Sequence, residues 1–322
     1  MNKPENIFLE KTFLEIKVSY FCNLNCSFCV FAHRKKPQLS QSRNKFVLVF
    51  KKIKNQYPNL ERVIISGGEP TIRPDFRKIL EDIETYIKPK EIVLHTNGLA
   101  ISKESDIKNL VKFNTIIFNS FHTLSNHTHR LFTQTKTLDK IKKNLNNYIK
   151  MGLTVDANTL IMKPNQSELS RIADYLVKRK VHGIEFRFPF GTEDRIREYP
   201  WILPDDYLSV ASQLGEIVKK YSSKISIYIH PSVACILEIK NGTTNRYIDL
   251  LWEQAKSTVE TSVELSGKKI NYVFIDSDMH IVSKNLQQTA VNLNDKLFIR
   301  LPRCAKCSFK ESCLGIPKEL LC

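Results

Sequence analysis

The sequence predicts an α/β protein with a parallel sheet, and two observations carry that expectation. Six strand-like segments alternate with five helix-like ones between residues 13 and 188, the pattern of repeated βα units. Residues that end helices or permit tight turns, such as Pro58 and the pair Gly67-Gly68, fall at the junctions.

The elements follow in order. Phe13–Val18 alternates polar and apolar residues as a strand does. A polar, basic loop comes next, then a helix over Gln41–Tyr57 that Pro58 stops. Arg62–Ile65 is a short β-branched run ending at Gly67-Gly68. A helix near Phe76–Ile87, a strand at Glu91–His95, a helix near Lys103–Lys112 and a strand at Thr115–Asn119 continue the series. It closes with a helix near Leu138–Met151, a strand at Thr154–Ile161, a helix near Leu169–Arg179 and a strand at Gly183–Phe188. Parallel crossovers are right-handed, so such a sheet becomes either doubly wound or a barrel. In both, ligands lie at the carboxyl ends of the strands. The residues that follow each strand are therefore where chemistry is expected.

Beyond Phe188 the pattern changes. Pro189, Pro200 and Pro204 mark a linker, followed by a helix near Asp205–Tyr221, a strand at Ile225–Ile229 and a hairpin whose first strand is Ile270–Ile275. The expected division is a barrel-type domain over residues 1–200 and a smaller domain over 201–322 that needs a metal or cluster for stability.

Hydrophobic residues make up 42% and charged residues 25% of the 322, which excludes wholesale disorder. No apolar run reaches the length of a membrane span, and Met1–Glu10 lacks a signal-peptide core. A cytoplasmic protein with no membrane partner is expected. The net charge of +16 favours anionic partners. The basic clusters at residues 33–36, 51–54 and 178–180 are short and scattered, however, and read as solvated surface rather than a nucleic-acid track.

Seven of the eight cysteines fall in two groups. Such grouping in a reducing compartment points to metal or cluster ligation rather than disulfides. Cys22, Cys26 and Cys29 form C-x3-C-x2-C directly after the first strand. Three thiolates can ligate three irons of a [4Fe–4S] cube, leaving one iron open to a small molecule. A zinc site would need a fourth ligand, for which His33 is the nearest candidate.

The first group, with Phe28 before its last cysteine, resembles the signature of the radical S-adenosylmethionine (SAM) enzymes. The resemblance covers about residues 13–188. Gly67-Gly68-Glu69-Pro70 matches that family's glycine-rich motif, and Thr96, Asn97 and Ser120 fall where it has recurrent residues. The resemblance implies a partial (β/α)6 TIM barrel with a [4Fe–4S] cluster at Cys22, Cys26 and Cys29. The open iron is then expected to chelate SAM, whose cleavage yields a 5′-deoxyadenosyl radical that abstracts hydrogen from a substrate. An electron donor such as flavodoxin or ferredoxin is implied. The two glycines would let backbone approach the ligand, and Glu69 would accept from an ammonium group. Ser120, and as a second candidate Asn158, would hold a ribose hydroxyl or the carboxylate. Phe28 would lie near the adenine.

Cys304, Cys307 and Cys313 form C-x2-C-x5-C, followed by Cys322. This resembles SPASM or twitch domains, which hold auxiliary [4Fe–4S] clusters. Five cysteines remain for such a domain, enough for one second cluster. Cys235, Cys304, Cys307 and Cys313 are the expected ligands and Cys322 the alternative fourth. A structural zinc site with the same spacing stays open.

Phe121–Arg130 carries His122, His127 and His129 and reads as a polar loop over the site, with Arg130 a contact for SAM or substrate. Arg187, Glu193, Asp194 and Arg195 follow the sixth strand and are placed to meet a polar substrate. By analogy with SPASM-type proteins the substrate is a ribosomally made peptide, to be crosslinked, thioether-bridged or epimerised. The stretch before Phe13 is too short for a leader-binding domain, which raises the alternative of a small metabolite, nucleoside or sugar. A reading of another class, a zinc-stabilised nucleic-acid-binding protein, would show zinc and salt-dependent binding without SAM cleavage.

Overall fold

Apolar residues at alternate positions give the strands one face that must be buried, and the structure buries it under helices. The computed structural model describes residues 11–29, 41–58, 60–189, 198–229, 270–275, 279, 281–285, 298–299, 302, 305 and 316–317. Strands β1 (Lys11–Ser19), β2 (Leu60–Gly67), β3 (Glu91–Thr96), β4 (Thr115–Ser120), β5 (Val155–Leu160), β6 (Gly183–Arg187) and β7 (Ser226–Ile229) lie side by side in chain order. Each neighbouring pair is parallel. Sequential order means that every right-handed crossover steps the same way, which puts the helices on one side. The expectation of an α/β barrel-type core is met, and the doubly wound alternative, which needs a reversal of strand order, is not.

Register makes the core. Ile16 pairs with Ile65, Ile65 with Leu94, Leu94 with Ile117 and Ile117 with Val155. All five are essentially inaccessible to solvent. Against this apolar row pack helices whose buried residues recur at three- and four-residue spacing. In α1 (Arg43–Gln56) these are Phe46, Val49, Phe50 and Ile53, and in α2 (Phe76–Tyr86) Phe76, Ile79, Leu80 and Ile83. Helices α3 (Glu104–Lys112), α4 (Asn126–Thr133), α5 (Leu138–Lys150), α6 (Leu169–Lys178) and α7 (Tyr207–Tyr221) complete the layer. A two-toothed ion pair, Arg43 to Asp82 at 2.6 and 2.7 Å, ties α1 to α2.

Two findings differ from expectation. The segment Asn126–Thr133 is a helix, not a polar loop: the Ser125 hydroxyl caps it by accepting from the Thr128 amide. Arg130 and His127 on it are exposed, whereas His129 is buried. The chain beyond residue 200 also joins the main sheet. Strand β7 extends it beside β6, while β8 (Ile270–Ile275) pairs parallel with β1 at the other edge and carries the antiparallel β9 (Ile281–Asn285). The hairpin forms as expected, but as an edge of this sheet. Strands β10 (Phe298–Ile299) and β11 (Ile316–Pro317) pair antiparallel apart from it. Cys235, Cys304, Cys307, Cys313 and Cys322 lie outside the described residues, as do His33, Glu193, Asp194 and Arg195. Among the described residues no helix is long and apolar enough to cross a membrane.

Candidate active site

Alternation decides what the concave side of the sheet carries. With Ile16, Ile65, Leu94, Ala157 and Phe186 facing the helices, the neighbouring Glu15, Ser66, His95, Asn158 and Arg187 face the bore. All five of these, with Ser120, line one cavity of about 340 Å³. Cys22, Cys26, Cys29, Phe28, Gly67, Gly68, Thr96, Asn97 and His122 line it too. Strands β1 and β6 are five places apart in the sheet. That both reach one cavity shows how far the sheet curls.

The cysteine loop is held from two sides. The Ser27 amide donates to the Phe132 carbonyl at 3.0 Å and the Asn25 amide to the Thr133 carbonyl at 3.3 Å. These are carbonyls at the end of α4, where the helix has no use for them. On the other side the Gly68 amide donates to the Ser19 carbonyl at 2.6 Å and the Glu69 amide to that of Phe21 at 2.8 Å. Gly67 has φ +131°, and a Cβ on it would lie 2.1 Å from the Ser19 oxygen. A Cβ on Gly68 would lie 2.2 Å from the Phe21 oxygen. Only glycine allows this approach.

Glu69 braces two loops. Its carboxylate is fully buried and absent from the cavity wall. It accepts from the Thr71 amide at 3.2 Å, the Thr71 hydroxyl at 2.5 Å, the Thr96 hydroxyl at 2.8 Å and the Asn97 amide at 2.7 Å. Three of these donors fall on Oε1 and one on Oε2, and the side chain does not reach the cavity wall. Burial raises its pKa and the four hydrogen bonds oppose that rise. Glu69 thus pins the loop after β3 to the loop after β2. Pro70 lies off the cavity and begins the 3-10 turn Pro70–Ile72. Asn97 carries the brace onward, its side-chain Nδ2 donating to Asn23 Oδ1 at 2.7 Å and towards Cys22 Sγ at 3.8 Å. Helix α5 holds the same loop from behind, with Asn144 donating to the Gly98 carbonyl at 2.8 Å.

Phe28 stands edge-on to His122, with ring centres 5.1 Å apart, and to Phe132 at 6.0 Å. Burial lowers the His122 pKa to about 3, with the nearby His129 adding to the fall. His95 is lowered to about 4 by burial and by the charge of Arg187. Both imidazoles are neutral at ordinary pH. His95, Glu15 and Ser66 did not stand out in the sequence as site residues. Their signal was the polar half of the strand alternation.

The donor set fits the groups that the sequence implied. Three half-buried cysteines share one braced loop. Among the described residues no three His, Cys, Asp or Glu side chains converge on a single point as one metal ion requires. Thiols spread along a loop suit a cube whose irons are ligated separately. Beside them the glycine backbone leaves room for a ligand. On β5 the Asn158 amide nitrogen is buried with no partner, an unmet donor of the kind a bound acceptor satisfies.

Comparison with known proteins agrees. Residues 16–176, half of the chain, match the Radical SAM superfamily. The chain is 27% identical over 218 residues to a probable GTP 3′,8-cyclase of Sulfurisphaera tokodaii, a match covering 66% of each protein. It is also 27% identical over 180 residues to a GTP 3′,8-cyclase of Haemophilus ducreyi, covering 55% of this chain and 52% of that one. In fold it is similar to Streptococcus suis SuiB, solved with S-adenosylmethionine (TM-score 0.65, 18% identity, 96% of this chain and 73% of SuiB). SuiB bound to its precursor peptide SuiA is equally similar (TM-score 0.65, 16% identity, 96% and 72%). The chain is therefore an enzyme belonging to the Radical SAM superfamily, whose members work with S-adenosylmethionine and a [4Fe–4S] cluster.

Proposed function

We propose that this enzyme cleaves SAM reductively and uses the 5′-deoxyadenosyl radical to take hydrogen from a small polar metabolite held in the bore. The observation that carries the reading is the meeting of three cysteines, the Gly67-Gly68 backbone and the unpaired Asn158 donor around one cavity. A [4Fe–4S] cluster ligated by Cys22, Cys26 and Cys29, together with SAM, would supply the electron and the radical.

The chain's own residues do the positioning. Gly67 and Gly68 bring main-chain groups to the ammonium of SAM, while Glu69 braces the loops behind them. Ser120 and Asn158 hold a ribose hydroxyl or the carboxylate. Thr96 and Asn97 keep the loop above β3 fixed against the cysteines, and Phe28 packs on the adenine. The apolar parts of Phe28, Leu24 and Ile141 on the cavity wall keep water from the reacting atoms.

The relatives' name, GTP 3′,8-cyclase, refers to a small anionic metabolite, and a cationic Arg187 on the wall suits one. A peptide substrate is the second reading, supported by likeness to SuiB along nearly the whole chain. For the region beyond residue 200 we retain a second [4Fe–4S] cluster, held by Cys235, Cys304, Cys307 and Cys313 with Cys322 as alternative. Flavodoxin or ferredoxin would deliver the electron.

The test is anaerobic reconstitution, reduction and quantification of 5′-deoxyadenosine with SAM, alone and with GTP or candidate peptides. A fully iron-loaded, reduced protein that makes none under any of these conditions would falsify the mechanism. Iron remaining in a variant with Cys22, Cys26 and Cys29 changed to Ala would support the second cluster. Zinc alone in that variant would overturn it.

A further inference from the structure

We infer that Arg187 is the anion-recognising residue of the substrate subsite, so that the substrate carries a carboxylate or phosphate that enters the bore beside β6. This rests on the reading of the cavity as the reaction chamber. It adds which part of the substrate is recognised, and by what.

Arg187 is the last residue of β6, opposite Leu160 of β5 in the register. Alternation with the buried Ile184 and Phe186 points its side chain into the bore. One edge of the guanidinium is tethered by an ion pair to Glu185. Glu185 is half-buried, and its desolvation raises its pKa while the arginine opposes that rise. That pair is made by Nη2, whereas Nε is buried without any hydrogen bond. A guanidinium offers five donors, and leaving a buried one unmet is costly. Two donors side by side on a planar fork fit a carboxylate or a phosphate oxygen pair.

The surroundings leave Arg187 as the cation of this wall. Among the described residues lining the cavity the remaining basic side chains are imidazoles. Burial holds His95, His122 and His129 below the ordinary histidine pKa. The charge of Arg187 contributes to lowering the first two. Glu15, on β1 across the bore, accepts from the Ser66 hydroxyl at 2.8 Å. The anion is therefore drawn to the β6 side, with Glu15 facing the hydroxyl or amino groups of the same molecule. Of the proposed SAM contacts, Gly67 and Gly68 lie four strands away in the sheet, whereas Asn158 stands on the adjacent β5, opposite Glu185, so the SAM titration decides which of the two ligands Arg187 serves.

The experiment uses the anaerobically reconstituted full chain and its Arg187→Met and Arg187→Lys variants. Because Arg187→Met leaves the half-buried Glu185 without its ion-pair partner, the double variant Glu185→Gln/Arg187→Met is included as a folding-safe partner. Calorimetry measures binding of SAM, and then, with SAM present, of GTP, of guanosine as its neutral counterpart and of glutarate. The inference expects SAM affinity to stay within about twofold in all variants. GTP or glutarate should bind wild type, with guanosine weaker, and lose about tenfold or more in both methionine variants with partial retention in the lysine one. GTP alone would identify phosphate, and glutarate alone carboxylate. Equal anion binding in wild type and variants, or no binding of either anion to wild type, would overturn the assignment. So would a loss of SAM affinity as large as that of the anion, because Arg187 would then hold SAM. Production of 5′-deoxyadenosine by wild type in parallel tells failure of this assignment from failure of the mechanism.

Discussion

At Gly68 the fold has no space for a side chain, because the backbone there hydrogen-bonds the chain entering the cysteine loop. Gly68→Ala is expected to push Phe21 and Cys22 outwards and to leave the reconstituted protein with less than about half of its four barrel irons. Iron and sulfide counts in a Cys-intact background measure this, and an unchanged count would contradict the tight approach. Glu69→Gln keeps the volume but places an amide among four donors. It should cost about 1–3 kcal/mol of stability and weaken SAM binding through the displaced Thr96–Asn97 turn. Urea midpoints and SAM titration read the two effects separately. Asn158, by contrast, has an unmet donor in the free protein. Asn158→Ala should therefore lower SAM affinity while leaving the urea midpoint close to that of the parent.

Among the elements, α4 bears directly on the site. It has eight residues, yet two of its last carbonyls accept from the cysteine loop. Phe132 at the same end supports Phe28. Ser125→Ala removes the cap that fixes the helix start. It is expected to cost about 1 kcal/mol, or about 2–4 °C in Tm for a domain of this size. Iron incorporation should fall alongside, since the cysteine loop leans on the helix. A drop in Tm with full iron retention would show that the loop stands by itself. The sequence concealed this element because its eight residues contain two Thr, two His and an Asn, all middling helix formers. Its stability comes from the cap and from burying Thr128, His129, Phe132 and Thr133, neither of which is a propensity. The longer α2, α5 and α6 were plain from spacing, because each repeats its apolar residues over at least two turns.

For the whole molecule, two neutral histidines inside the bore set the response to acid. His95 and His122 have folded pKa values of about 4 and 3, below the ordinary 6.5. Above 6.5 neither the folded nor the unfolded chain protonates them, so they impose no penalty. As pH falls below 6.5 the unfolded chain takes up protons that the folded chain refuses, and stability drops until about pH 4 and 3 in turn. The loss should be on the order of 2–3 kcal/mol from His95 alone. Urea midpoints between about pH 8 and pH 4 follow it. A His95→Gln variant should show the shallower slope, and identical slopes would exclude His95 as a source.

Sequence alone determined the element order, the parallel sheet and the three cysteines with the glycine pair beside them. Each of these is written in local pattern: period-two strands, helical spacing, and close ligand spacing within one loop. It also marked Asn158, on the fifth strand, and Arg187, at the end of the sixth. Only the tertiary structure decided which chemistry each polar residue is free to do. Glu69 reads as a ligand contact in the chain, but the fold surrounds it with four donors from two loops. His95, Glu15 and Arg187 are far apart in sequence and share a cavity because seven strands laid in order curl round one bore. Hydrogen-bond partners and shared enclosure depend on which residues the fold brings together, and no local pattern records that.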